Sequence, residues 1–411
     1  MKPEEEEYYV LGWVCSQLLH DDCRNLLCSL YNDYSIENTQ IELKKYDNSS
    51  RLFFPNENAK RMSDIINIVF KDNIDNYIKK SIFIYRNPIN TTRNAIARLV
   101  LSFVVCDNRF SEALNVIKSA LTFTKTPVYF VIFTSDKLTL KFNDVLRKWK
   151  VLFKNQLDFE MQRIQFPETH EKEWMNMFSK CAAQRLFIPM LLPHIDALIY
   201  VDTDTLFLGP VEELWQFFYK FNSSQMSAMT LEDDNPNVSW YPRFAKHPYY
   251  GKYGLNSGVM LMNLTRMRTF GWVNYVTPIM LKWKLDIPWG DQDIINIIFH
   301  YHAEAVALLP CRYNYRTDQC VYGPACADAA RRGVHLLHGS RAAFHNDQQP
   351  VFQAVYRAID EHQIGADPSK LLIALKKYLS EVPPSNCGSM KDAFSKVPIE
   401  TINDIYGQPT R

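Results

Sequence analysis

An α/β fold with a mostly parallel central sheet flanked by helices is predicted by three features of the chain. Leu99 to Cys106 and Val128 to Phe133 are unbroken apolar runs, and Glu112 to Phe123 between them places its apolar residues at helical spacing. Runs without polar alternation read as strands buried on both faces, which is what a parallel sheet covered by helices requires. Further on, Glu173 to Leu192 reads as one helix ending near Pro193, and it delivers the chain to a third apolar run that starts at Ala197 and carries Asp202 and Asp204 at its end. Ligands of such sheets bind beyond the carboxyl ends of the strands.

Taken in order, residues 1–93 have a different texture, rich in Glu, Asn, Lys and Ile, with weak helical patches such as Met62 to Phe70. They read as an N-terminal extension without an assignable role. Residues 94–365 read as one α/β domain, which the motifs below make the candidate catalytic domain, and residues 366–411 as a helix (Lys370 to Leu379) followed by a loose end containing Pro, Ser and Gly. No internal repeat is visible.

The third apolar run ends on Asp202 and Asp204. In a strand, residues i and i+2 point the same way, so the two carboxylates converge on one hard divalent cation bound through oxygen. An Asp-x-Asp triplet arises about once by chance in a chain of this length and composition. Here, however, two charges terminate a buried strand, which is costly without a compensating cation, and the chain turns away at Gly209-Pro210.

Composition narrows the partners. The chain of 411 residues is 47% hydrophobic and 22% charged, with a formal charge of +1, so no electrostatic case exists for nucleic acid or an anionic membrane. Aromatic residues make up 13%, including 22 Tyr and 8 Trp, which suits stacking on sugar rings, although core packing accounts for most aromatics. No apolar window reaches the 18 residues of a membrane span, and Tyr8 to Leu19, preceded by Glu4 to Glu7, reads as a core helix in preference to a signal peptide. Sequons at Asn48, Asn90, Asn222, Asn237 and Asn263 point weakly to secretion. Nine Cys are too few for a disulfide scaffold. Cys311, Cys320, Cys326, His335 and His338 lack the short ligand pairs of a zinc site, and a disulfide-braced loop leading to a functional His is the better reading.

Five segments then stand in register: Gln184-Arg185-Leu186-Phe187-Ile188-Pro189, the Asp pair, Gly254-Leu255-Asn256-Ser257-Gly258-Val259-Met260-Leu261-Met262-Asn263, Trp289-Gly290-Asp291-Gln292-Asp293, and Val334-His335-Leu336-Leu337-His338-Gly339-Ser340-Arg341. Their order resembles the glycogenin-like retaining glycosyltransferases of family 8. With Pro248-Tyr249-Tyr250-Gly251-Lys252, the wording is most similar to the glucoside xylosyltransferases of that family, over about residues 98–365. The resemblance implies a nucleotide-sugar-binding, Rossmann-like fold of the GT-A type. It implies α1,3 transfer of xylose from UDP-α-D-xylose, with retention, onto O-linked β-glucose of EGF-like repeats such as those of Notch. The alternatives are a family-8 enzyme using UDP-glucose or UDP-galactose, and a non-catalytic glycan-binding relative. The implied location is the lumen of the endoplasmic reticulum or Golgi. The family's usual membrane anchor is not found in this chain.

Residue by residue, Asp202, Asp204 and His338 resemble the ligands of Mn²⁺, with Mg²⁺ as the alternative. Alone, His338 would read as a core histidine; the Asp pair reverses that preference. Arg185 matches the donor-side guanidinium, against an ordinary helix-surface salt bridge. Asp107, with backbone contacts from Val104 and Cys106, resembles the uridine-facing segment. Asn256 and Ser257 match donor-sugar contacts, Gly258 admits close backbone approach, and Thr203 and Gly339 complete the donor side. Where many relatives carry a Lys after the metal-binding His and Gly, this chain offers Arg341 as the phosphate contact. Asp291 and Gln292 match the catalytic pair. Gln292 is a poor nucleophile, so the pair is assigned positioning and charge stabilisation, and Asp291 doubles as a helix N-cap for Ile294 to His300. Trp240, Tyr249, Tyr250 and Trp289 form the acceptor wall, against ordinary loop packing. In an oxidising lumen Cys320 and Cys326, with five residues between them, are expected to pair.

Overall fold

The computed structural model describes residues 98–106, 108–177, 181–233 and 238–407. The chain divides into units of residues 1–90 and 91–411. The first lies outside the described residues, as do Met62 to Phe70, Asp107 and the sequons at Asn48, Asn90 and Asn237.

The apolar runs become β1 (Leu99–Val105), β2 (Val128–Thr134), β3 (Leu157–Arg163) and β4 (Ala197–Val201), all parallel, in spatial order β3-β2-β1-β4. Connections run through α1 (Phe110–Phe123) and α2 (Asp136–Phe153), as right-handed crossovers of parallel strands demand. After β4 the chain leaves the sheet for the short β5 (Thr205–Phe207) and returns as β6 (Ser227–Leu231), β7 (Leu255–Asn263) and β8 (Val306–Leu308). β7 is antiparallel to both β4 and β6, and β8 runs parallel to β6, so six strands of the seven share one direction. The mostly parallel sheet is therefore as the sequence predicts.

Alternate side chains of β4 serve opposite faces. Leu198 and Tyr200 join one core with Met260, Trp272 and Ile294. Ile199 and Val201 join another with Phe103, Val116 and Phe142. Both faces are dry, which is why the strand carries no polar residue until its end. A third core, around Tyr315, Phe352, Leu375 and Phe394, is built by α4 (Pro350–Glu361), α5 (Pro368–Ser380) and α6 (Lys391–Tyr406) after α3 (Asp291–Tyr301) has packed on the sheet.

Four expectations are corrected here. Asp202 and Asp204 do not stand on the strand: β4 stops at Val201, the two carboxylates lie in the turn after it, and β5 pairs antiparallel with β9 (Leu336–His338) in a separate two-stranded ribbon. Glu173 to Leu192 is not one helix. It is described as Glu171–Met177, a 3-10 turn Ala183–Phe187 and a short helix Ile188–Leu191, because Pro189 is tolerated only in a first turn and the helix restarts there. Residues 391–406 are not loose: they form α6, which buries Phe394, Val397 and Ile402. Finally, Cys320 does not pair with Cys326. The disulfides are Cys106–Cys181, Cys311–Cys326 and Cys320–Cys387, the last with a Cα–Cα distance of 4.8 Å. Cys320 faces the core under the C-terminal helices, which brings Cys387 to it from 67 residues away.

Candidate active site

The break after β4 places the two carboxylates in a turn. Backbone bonds fix this turn from both sides: Asp202 N–H donates to Gly258 of β7 at 2.9 Å, and Gly339 N–H donates to the carbonyl of Asp204 at 2.7 Å. In the β5–β9 ribbon Thr205 stands opposite His338, so the ring arrives next to the Asp pair. Its Nε2 lies 3.4 Å from Asp204 Oδ1 and 3.8 Å from Asp202 Oδ2. One ligand atom from each residue lies within 4.8 Å of the others, close enough for one ion. The convergence was expected; its origin in a turn and a ribbon, instead of one strand face, was not. Gly258 is required for it, since a Cβ there would sit 2.1 Å from His338 Cε1. Burial opposes the charge on Asp204, but whenever the His338 ring is protonated its hydrogen bond and charge, with Arg109 beyond, hold the carboxyl below the usual range.

Arg185, on the 3-10 turn, is buried in the wall of this site. Its guanidinium donates to Asp202 Oδ1 at 2.8 Å and to the carbonyl of Ser257 at 2.5 Å, and lies over the Tyr200 ring. Nε also lies 2.5 Å from Asp291 Oδ2. That N–H is not aimed at the oxygen, leaving both atoms without a hydrogen bond, so the contact is a charge pair only. Arg185 thus clamps the metal-side and acceptor-side carboxylates together, and the surface salt-bridge alternative falls away. Burial, with Asp202 close by, pushes the Asp291 carboxyl up to about 7 in spite of Arg185. Asp291 is the first residue of α3 and not its cap, since Gly290 holds that position with φ 60°. Asp293, in the first turn of the helix, reaches back to accept the Trp289 N–H at 2.7 Å.

Gln292 accepts from the backbone N–H of Ser257 at 3.0 Å and donates to Glu232 Oε2 at 3.2 Å. Asn256 Nδ2 donates to the same Glu232 oxygen at 2.7 Å, while its Oδ1 accepts from Gly258 N–H at 3.0 Å and from Asn314 Nδ2 at 2.7 Å. The structure therefore brings Asp202, Asp204, His338, Arg185, Asp291, Gln292, Asn256 and Ser257 into one connected site. Beside it, Trp240 packs edge-on against Trp289 with centroids 5.7 Å apart, and Tyr241 lies 5.2 Å from Tyr249. Trp289 stays 42% exposed, whereas Tyr250 packs partly into the core. Val104 is buried in β1, Cys106 is engaged with Cys181, and Thr203 lies within the metal-side turn. Arg341, half exposed, pairs with Asp318 at 3.0 Å.

Sequence reasoning assigned no role to Glu232, Asp293 and Asn314. Glu232 carried a signal, an acidic residue ending the β6 run just as Asp202 ends β4. Asn314 carried none. It sits after a 3-10 turn, and only the tertiary structure brings it to His338 Nδ1, at 2.8 Å.

Residues 100–338 match the profile of glycosyl transferase family 8. Among known proteins, the chain is 43% identical over 324 residues to glucoside xylosyltransferase 1 of Danio rerio, covering 76% of this chain and 80% of that protein. It is 40% identical over 325 residues to glucoside xylosyltransferase 1 of Homo sapiens, covering 76% and 73%. It is 41% identical over 318 residues to glucoside xylosyltransferase 2 of Mus musculus, covering 74% and 72%.

Proposed function

The chain belongs to glycosyl transferase family 8, and on that footing we propose that it transfers xylose from UDP-α-D-xylose, with retention and in α1,3 linkage, to O-linked β-glucose on EGF-like repeats such as those of Notch. The observation that carries a catalytic reading over a merely glycan-binding one is the convergence of Asp202, Asp204 and His338 from separate segments. Xylose as the donor sugar is supported by the glucoside xylosyltransferases it resembles at around two-fifths identity over three-quarters of the chain.

Two carboxylates and an imidazole suit Mn²⁺, with Mg²⁺ as the alternative, and a bound ion would neutralise charge developing on the departing diphosphate. Asp202, Asp204 and His338 would hold it. Arg185, buried and bridging Asp202 to Asp291, fixes the metal-side carboxylate relative to the reacting sugar. Asn256 and Ser257 line the donor sugar, with Thr203, Gly339 and Arg341 toward the diphosphate and Val104, Cys106 and Asp107 toward uridine. Asp291 and Gln292 stand at the acceptor side, where a fixed carboxyl and amide stabilise charge at the anomeric centre. Trp240, Tyr249, Tyr250 and Trp289 present aromatic surface to the acceptor glucose.

Every described cysteine is in a disulfide, which supports an oxidising lumen of the endoplasmic reticulum or Golgi. Among the described residues no helix is long and apolar enough to cross a membrane. The test is a panel of UDP-xylose, UDP-glucose and UDP-galactose against an O-glucosylated EGF-like repeat, with and without Mn²⁺. Metal-dependent transfer from UDP-xylose alone is the expected result. Preference for a hexose donor would replace the sugar assignment, and inertness with all three would leave glycan binding.

A further inference from the structure

Which ring nitrogen of a histidine carries the proton is not visible in heavy-atom positions; it follows from the partners of the other nitrogen. For His338 the answer is fixed by a chain of amides that begins at a group unable to reverse its polarity. The backbone N–H of Gly258 donates to Asn256 Oδ1 at 3.0 Å, and Asn256 Nδ2 donates to the Glu232 carboxylate at 2.7 Å. Reversing Asn256 would set donor against donor at Gly258 and acceptor against acceptor at Glu232. Asn256 Oδ1 is therefore an acceptor, and Asn314, buried at 0% exposure, must present Nδ2 to it at 2.7 Å, with Thr230 Oγ1 as a second acceptor at 3.1 Å. That leaves Asn314 Oδ1 facing His338 Nδ1 at 2.8 Å, so Nδ1 must be the donor.

We infer that Asn314 is a positioning residue that holds neutral His338 as the Nδ1-protonated tautomer and so presents a bare Nε2 lone pair to Asp202 and Asp204. The inference rests on the reading of those three residues as a divalent-cation site. It also fits the local electrostatics, because a lone pair 3.4 Å and 3.8 Å from two carboxylate oxygens calls for a positive charge between them, which a divalent cation supplies with the ring neutral and a proton on Nε2 supplies without it. The opposite tautomer would aim an N–H at the carboxylates and fill the ion's place with a hydrogen bond. The same amide chain ties the ring to Asn256 on the donor-sugar side and, through Glu232, to Gln292 on the acceptor side. The ring's partner beyond the ligand atom is thus shared with the rest of the site, in the way metal-bound histidines are usually oriented.

The test uses ¹⁵N-histidine-labelled protein, metal-free and at alkaline pH so that the ring is neutral, with His338 identified by the loss of its resonances in His338→Gln. A pyrrole-type Nδ1 and a pyridine-type Nε2 are expected. In Asn314→Leu the tautomer preference should be lost, and Mn²⁺ affinity, measured by calorimetry in the presence of UDP, should fall roughly 10–100-fold. Asn314→Asp keeps an acceptor for the Nδ1 proton and should keep the tautomer, which separates this role from packing. An Nε2-protonated ring in the unsubstituted protein overturns the inference. So does an Asn314→Leu protein that retains both the tautomer and the affinity. If the tautomer behaves as expected but the unsubstituted protein takes up no Mn²⁺, Asn314's control of the ring stands and the cation site is the reading that fails.

Discussion

The two sides of the cleft are built from opposite materials. On the metal side, Arg185 holds Asp202 by a charge-assisted hydrogen bond, and His338, Asn314 and Asn256 are joined by amide hydrogen bonds whose directions are each determined by the next. On the acceptor side, Trp240, Trp289, Tyr241 and Tyr249 meet edge-on or tilted, and Trp289 remains largely accessible. A buried polar network tolerates little displacement, because each lost partner leaves an uncompensated group at low dielectric. Aromatic contacts are less directional and adjust at small cost. On the proposed function, the first side would suit a diphosphate that never varies, and the second a ring that must enter and leave.

If that contrast is sound, substitutions on the two sides should differ in size and in kind. The largest effect is expected for Asp204→Asn, which removes a charged ligand without changing volume: transfer should fall at least about 10³-fold, roughly 4 kcal/mol, with the circular dichroism spectrum unchanged. Near-normal turnover in Mn²⁺ would break the comparison at its strongest point. Arg185→Gln should come next and should act on stability as well, by about 3 kcal/mol in denaturant unfolding, because Asp202 and Asp291 would lose their shared buried cation.

A pH series sharpens the same side. The Asp291 carboxyl is raised from the ordinary 3.8 to about 7, so between those values the folded protein keeps a proton that the unfolded chain has released. Stability should therefore fall as pH rises from 4 toward 7, by more in the unsubstituted, metal-free protein than in Asp291→Asn; equal slopes would remove Asp291 from the account. The smallest effect belongs to the aromatic rim. Trp289→Ala should raise the acceptor KM several-fold, about 1 kcal/mol, while leaving hydrolysis of UDP-xylose and its Mn²⁺ dependence unchanged. A loss as deep as that of Asp204→Asn would mean that the rim is as rigidly specified as the metal side.

Much of the metal side was legible in the chain because its signals are local. A carboxylate pair ending an apolar run needs only neighbouring residues to be recognised, and Asn256-Ser257-Gly258 and Trp289-Gly290-Asp291-Gln292 are contiguous words. The cysteines show the opposite case. Close spacing favoured Cys320 with Cys326, yet each found a different partner, because the short helix Asp318–Val321 turns Cys320 toward α5 and α6. The stretch taken for a loose end failed for a related reason. Its apolar residues Phe394, Val397 and Ile402 make a modest pattern on their own and gain meaning only against Tyr315, Phe352 and Cys387.

By itself the sequence determined that β1, β2 and β4 are buried on both faces and that two carboxylates follow the last of them. These follow from periodicity and from the cost of ending a dry strand on a charge, both properties of adjacent residues. The tertiary structure alone decided that β4 breaks at Asp202, that β9 returns to set His338 beside it, and that Asn314 and Glu232 orient the groups on either side. Those contacts join residues up to 136 positions apart, as Asp202 and His338 are, and a hydrogen bond's direction depends on where the partner strand comes to lie. No run of neighbouring residues encodes that.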